Sequence, residues 1–362
     1  MPSKYSITQC NKFVSRDIGE HIPKKLHGLF LFGVRSFTLQ SITSCNSNAR
    51  VSHQGSRNAA EQQMYRLLRH SKLFLLVWRA VAEQLPLKDN DIVNVDYSNL
   101  GPLAILGFAK QTKRGRAIPV LMRSLASNTQ GQKKTHPKYQ KLKDYYLTWK
   151  KTVQADQYTF VIKSLILLRY IYSTQPKLVF DRGFANKTIV KFLIKNNWVF
   201  YIRMRENFKV SLNGNLRYIS GLPQGSYTIV WAGQILRLII TKTRSRYPQP
   251  WYIITNDNAT LPTKIAKFYY HRFEIEESFR DLKGLFNLKG SRIRTWQSLR
   301  VVLCFMSLAI IVAMSLYKSK TVDNNIPKKS LSIVRMWQEQ INKERLRITT
   351  RKLQISGVIG DV

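Results

Sequence analysis

Carboxylates are scarce in this chain. Only 20 Asp and Glu stand against 59 Lys and Arg in 362 residues, a formal charge of +39. Such an imbalance repels itself unless a polyanion is bound, so the expected partner is nucleic acid, with an anionic membrane surface as the weaker alternative. Cysteine is equally sparse. Cys10, Cys45 and Cys304 are odd in number and form no C-x-x-C pair, which argues against a disulfide framework and a cysteine zinc site and fits a reducing compartment. The six histidines show no metal-ligand spacing. No apolar stretch follows a basic start at the amino terminus, so no signal peptide is expected. Long uncharged runs are rare too. The one that stands out, Val301 to Tyr317, is at the short edge of a membrane span, and a helix buried in an α/β core is the preferred reading.

The remaining texture predicts an order of elements. Residues 1 to 85 read as a basic helical module, with helical spacing through AAEQQMYRLLRHSKLFLLVWRAVAEQL. From Asp91 three short strand-like runs follow, then a basic connector, a helix, the strand PKLVFD, a helix and the strand WVFYIRMR. Residues 205–256 are β-rich, punctuated by N-G and P-Q-G turns. The remainder is helical. The order β-β-β-α-β-α-β, then a β insertion, then α, predicts an α/β fold: a ribonuclease-H-like mixed sheet with a β-rich insertion before the last acidic helix, plus helical N- and C-terminal regions. The expected boundaries are 1–85, a basic helical DNA-binding region; 86–204, the first part of the core; 205–256, the insertion; 257–320, the rest of the core; and 321–362, a basic helical region. In this layout the first and fourth strands are neighbours.

That adjacency gives weight to the few acids at strand ends. Asp96 ends IVNVD and Asp181 ends KLVFD; each alone is readable as a turn or capping residue. Asp257, in YIITND, competes, but its asparagine neighbours favour turn chemistry. A third acid, Glu276, lies in YYHRFEIEESFRDLKG. There Tyr269, Arg272, Glu276 and Lys283 would share an arc of about 60° on one helix, at roughly 100° per residue. The plain alternative is an i,i+4 ion pair between Arg272 and Glu276. Glu274 and Glu277, off that arc by about 140° and 80° from Tyr269, are less well aimed. Two strand-borne Asp and one helix-borne Glu are the hard oxygen donors Mg²⁺ prefers. Two such ions would activate a water or 3′-hydroxyl and stabilise the leaving oxygen at a phosphodiester.

The spacing Tyr-(2)-Arg-(3)-Glu-(6)-Lys, with DRGF at Asp181 to Phe184 and VDYS around Asp96, resembles the signature of bacterial DDE transposases of the insertion sequence four family. The resemblance covers about residues 90 to 290. It implies a cut-and-paste transposase with Asp96, Asp181 and Glu276 as catalytic metal ligands, using Mg²⁺ (two ions) or Mn²⁺ as substitute. It also implies a hairpin intermediate, DNA contacts from Tyr269, Arg272 and Lys283, and a homodimer assembled on DNA, with no membrane association and a cytoplasmic, nucleoid-associated location. Trp251 resembles the family tryptophan that stacks on a flipped base. A strand-start core aromatic is the other reading, and Trp231 is the rival position. Two other classes stay open on sequence: a different metal nuclease on the same fold, and a non-catalytic basic protein bound to DNA or a membrane surface.

Overall fold

The computed structural model describes residues 22–38, 56–101, 103–112, 115–126, 157–241, 249–284, 286–289, 293 and 295–318. The expected basic connector after the third strand and the last basic helix lie outside them. The chain divides into two compact units: Met1–Leu85 with Phe279–Val362, and Pro86–Ser278.

In the first unit, helices α1 (Lys24–Thr38), α2 (Arg57–Arg69) and α3 (Ser71–Gln84) pack on α8 (Trp296–Lys318). Helix α8 contains the uncharged run, and its residues Val301 to Val312 are all buried. An all-round apolar helix must be enclosed on every side. Its surroundings in this unit are helices, whereas the sequence reading set it in an α/β core. No helix among the described residues is long and apolar enough to cross a membrane. Phe30 of α1 meets Phe305 of α8 at 6.0 Å between ring centroids. Cys304 is a free, buried thiol, and burial pushes it well above the ordinary thiol range.

The second unit is built on one ten-stranded sheet with the order β3-β2-β1-β4-β5-β10-β9-β8-β6-β7. Strands β1 (Ile92–Leu100), β2 (Leu103–Lys110) and β3 (Ile118–Ala126) form an antiparallel meander. Helix α4 (Gln157–Tyr172) leads to β4 (Lys177–Phe180), which lies parallel to β1. Helix α5 (Lys187–Lys195), capped by the Asn186 side chain accepting from Thr188 N at 2.8 Å, leads to β5 (Phe200–Met204), parallel to β4. The 3-2-1-4-5 order is the ribonuclease-H-like layout, with the first and fourth strands adjacent.

The β-rich insertion extends this sheet. Strands β6 (Lys209–Leu212), β7 (Asn215–Tyr218), β8 (Gly225–Trp231), β9 (Gln234–Thr241) and β10 (Trp251–Thr255) join it through β10, which pairs antiparallel with β5. The N-G signal is realised between β6 and β7, where Asn213 and Gly214 take φ of 50° and 82°. Both central residues of such a two-residue hairpin need positive φ, and glycine adopts it without strain. Helix α6 (Pro262–Tyr270), a 3₁₀ turn (His271–Phe273) and helix α7 (Glu274–Gly284) follow. The signature segment is therefore not the single helix expected: a tight turn separates Tyr269 from Glu276.

Candidate active site

Parallel pairing of β1 with β4 sets Val95 opposite Phe180, so the next residues, Asp96 within β1 and Asp181 just past the end of β4, stand side by side at the same level. Asp181 precedes the 3₁₀ turn Arg182–Phe184. The Phe184 ring stacks on Tyr97, the residue after Asp96, at 5.3 Å and 3° between planes. This stack ties together the two chain segments that carry the acids. Tyr97 N also donates to Asp96 Oδ1 at 2.8 Å.

Arg272 closes the arrangement. Its Nη1 donates to Asp96 Oδ2 at 2.8 Å and its Nη2 to Glu276 Oε1 at 2.7 Å. The residue is 5% exposed, and its Nε is buried without a hydrogen-bond partner. Burial works against the guanidinium charge, but Tyr269 and the acids Asp96, Asp181 and Glu276 outweigh it and raise its pKa. Tyr269 donates its hydroxyl to Asp181 Oδ1 at 3.1 Å. Burial, above all, pushes that phenol above its ordinary value. Asp96 is pushed up to about 6, chiefly by burial, with Asp181 and Glu276 adding to the rise while Arg272 and the Tyr97 amide oppose it. Asp96 and Glu276 thus meet at one buried cation, and Asp181 lies near enough to perturb both Asp96 and Arg272.

The structure brings together Asp96, Asp181, Tyr269, Arg272 and Glu276. Lys283 stands on α7 beyond the turn and belongs to the helical unit; burial first, then Lys289, lowers its pKa. Trp251 opens β10 at 2% exposure, packed edge-on against Tyr269 with ring centroids 4.8 Å apart. In this state it is a core residue supporting Tyr269, and Trp231 is also buried. Asp257 does turn chemistry. It accepts from Tyr201 Oη at 2.6 Å and from Thr260 Oγ1 at 2.6 Å, and pairs with Lys177 at 3.3 Å. Burial would raise its pKa, but these partners hold it well below the carboxylate range. Glu277 pairs with Arg116 at 3.5 Å. Glu274 is buried and accepts from Thr112 N at 2.7 Å. The sequence reading missed Asn94, which is fully buried on β1 two residues before Asp96 and on the same strand face. A polar residue inside an apolar strand was the available signal.

The donor chemistry fits a hard divalent cation, since converging carboxylates need a counter-charge. Among the described residues, however, no group of three or more His, Cys, Asp or Glu is set to hold a metal ion. The Arg272 fork engages Asp96 Oδ2 and Glu276 Oε1, one oxygen of each of two acids that would hold such an ion.

Residues 118–312 match the family described as Transposase DDE domain, a span that holds Asp181, Tyr269, Arg272, Glu276 and Lys283 and begins after Asp96. No match is found among curated proteins. Among solved structures, the chain is similar to a cryo-EM structure of a piggyBac transposase synaptic complex with hairpin DNA. The two are 13% identical with a TM-score of 0.43, over 98% of this chain and 82% of that one. The family match spans more than half of the sequence, and the chain belongs to the DDE transposases, DNA-cleaving and strand-transferring enzymes that generally use divalent metal ions.

Proposed function

We propose that this transposase is of the insertion sequence four type and moves its element by cut and paste through a hairpin, with Asp96, Asp181 and Glu276 as its catalytic acids. The observation that carries the reading is the shared point at which Arg272 joins Asp96 and Glu276 while Tyr269 meets Asp181. When bound, two Mg²⁺ ions, or Mn²⁺ in their place, supply an activated oxygen nucleophile and stabilise the leaving oxygen. The chain's own residues do the rest. The acids on β1, after β4 and on α7 offer hard oxygens from three rigid elements. Arg272 is a planar fork that fits phosphate as well as carboxylate. A terminal phosphate of the DNA end takes the guanidinium over and frees Asp96 Oδ2 and Glu276 Oε1. Tyr269 and Lys283 complete the grip on that phosphate, and Trp251 stacks on a flipped base only if it leaves its pocket beside Tyr269.

Residues 1–85 carry recognition of the terminal inverted repeats, 86–204 and the part of 257–320 up to α7 the catalytic core, and 205–256 its insertion, while 321–362 lies outside the described residues. The working form is a homodimer on DNA in the nucleoid-associated cytoplasm.

The test is Asp96→Ala, Asp181→Ala and Glu276→Ala, assayed on a labelled duplex carrying the inverted repeat that flanks the gene. Each should abolish strand cleavage and leave end binding largely intact, because affinity comes from phosphate contacts. A Glu276→Ala protein that still cleaves in Mg²⁺ sinks the assignment.

A further inference from the structure

The tight turn inside the signature segment has an identifiable cause. A 3₁₀ turn advances about 120° per residue against about 100° in an α-helix, so three residues of it rotate helix α7 by roughly 60° relative to a continuous helix. Tyr269, before the turn, reaches Asp181, while Arg272 and Glu276, within and after it, reach each other and Asp96. The backbone stays right-handed throughout, with Tyr270 at φ −56°, ψ −43° and Glu274 at φ −59°, ψ −29°.

Side chains far away in sequence hold it there. Asn94 Nδ2 donates to the His271 carbonyl at 3.0 Å, and Asn94 Oδ1 accepts from Gln111 Nε2 at 2.6 Å. The same Gln111 amide donates to the Phe268 carbonyl at 2.8 Å. The Phe268 carbonyl directly precedes Tyr269, and the His271 carbonyl directly precedes Arg272. Past Arg272, Glu274 accepts from Thr112 N at 2.7 Å, meets His271 Nδ1 at 3.0 Å, and takes the Ala117 amide on its own carbonyl at 3.2 Å. Asn94 of β1, together with Gln111, Thr112 and Ala117, thus grips the chain on both sides of the fork. Glu274, the rival ligand on sequence, faces away into this grip.

We propose that Asn94, Gln111 and Glu274 are positioning residues of the cleavage reaction, acting through Arg272 by fixing the turn that aims its fork. This rests on the reading of Arg272 and the three acids given above. The full chain is tested in single-turnover nicking of the labelled duplex, beside DNA binding and thermal melts. Asn94→Ala and Gln111→Ala are each made in the natural and the Arg272→Lys backgrounds. Ser164→Ala serves as a control, being fully buried on α4 and bonded to Arg123 and the Phe160 carbonyl rather than to the turn. Misplacement by about 1 Å costs on the order of 100-fold, so either alanine should slow nicking by roughly 10- to 100-fold while end affinity changes by less than about threefold. In the Arg272→Lys background the same change should cost less than about threefold, since coupled residues are not additive. Ser164→Ala should lower the melting temperature without slowing nicking. An equal fold loss in both backgrounds, or slowing that tracks melting temperature across all variants, overturns the proposal. Should Asn94→Ala fail to fold, the half-buried Gln111 carries the same test. If Arg272→Lys alone nicks at the natural rate, the site reading itself falls, an outcome distinct from failure of the positioning role.

Discussion

Replacing Asp96 by asparagine should make the folded protein more stable above pH 6 while destroying its cleavage. Burial raises the Asp96 carboxyl from 3.8 to about 6, even with Arg272 at 2.8 Å. Between those values the folded state holds a proton that the unfolded chain has released. Stability therefore falls as pH rises through that window and stays lowered above it. A shift of about two units at about 1.4 kcal/mol each puts the cost near 3 kcal/mol. Asparagine copies the shape of the protonated acid and, like it, keeps one good acceptor oxygen, for either the Tyr97 amide or the Arg272 fork, without the charge. Melting in chelator at pH 4 and at pH 7.5 checks this. The natural and Asp96→Asn proteins should melt together at pH 4 and differ by roughly 6–12 °C at pH 7.5, at about 2–4 °C per kcal/mol. A gap of the same size at both pH values, or a less stable asparagine variant at pH 7.5, would refute the reasoning.

Trp251→Ala should cost about 3–5 kcal/mol of stability and depress nicking and hairpin formation together, because it empties the pocket against Tyr269. A selective loss of the hairpin step without a lowered melting temperature would instead identify Trp251 as the base-stacking residue. Gly33→Ala should destabilise the helical unit by about 1–3 kcal/mol, since its Cβ would fall 2.6 Å from the Phe305 ring, a shift read by thermal melting. End binding should weaken steeply with salt, by about 10³–10⁵ between 50 and 200 mM if 6–10 phosphates are contacted; a shallow dependence measured by filter binding would detach the basic surface from DNA.

Local pattern carried much of the fold. Apolar runs ending in Asp96 and Asp181, an N-G turn at Asn213, and helices between β3, β4 and β5 are all short-range features. Their order fixes which strands are adjacent, since parallel strands need a crossover and antiparallel ones a turn. What escaped was set by pairing at a distance. That the insertion continues the central sheet depends on β10 finding β5 across about 50 residues, which neither strand's own pattern announces. The uncharged run at Val301 was readable as buried, but its helical neighbours come from the other end of the chain.

The site divides along the same line. The plain i,i+4 pair between Arg272 and Glu276 does form, at 2.7 Å, and a helical wheel is enough to expect it. The wheel cannot supply the other arm of the fork, because Asp96 is 176 residues away. Nor can it supply the turn. Helical spacing from Tyr269 to Lys283 is unbroken in the sequence, and the residues that hold the 3₁₀ turn are Asn94 and Gln111, 177 and 157 residues from the carbonyls they bind. A continuous helix would aim Tyr269 and Glu276 along one stripe. The turn lets Tyr269 meet Asp181 while Arg272 bridges Asp96 and Glu276, so the same four-residue spacing serves acids from two different strands. The spacing named the participants; the turn between them is bound by the side-chain amides of Asn94 and Gln111, from another strand and loop.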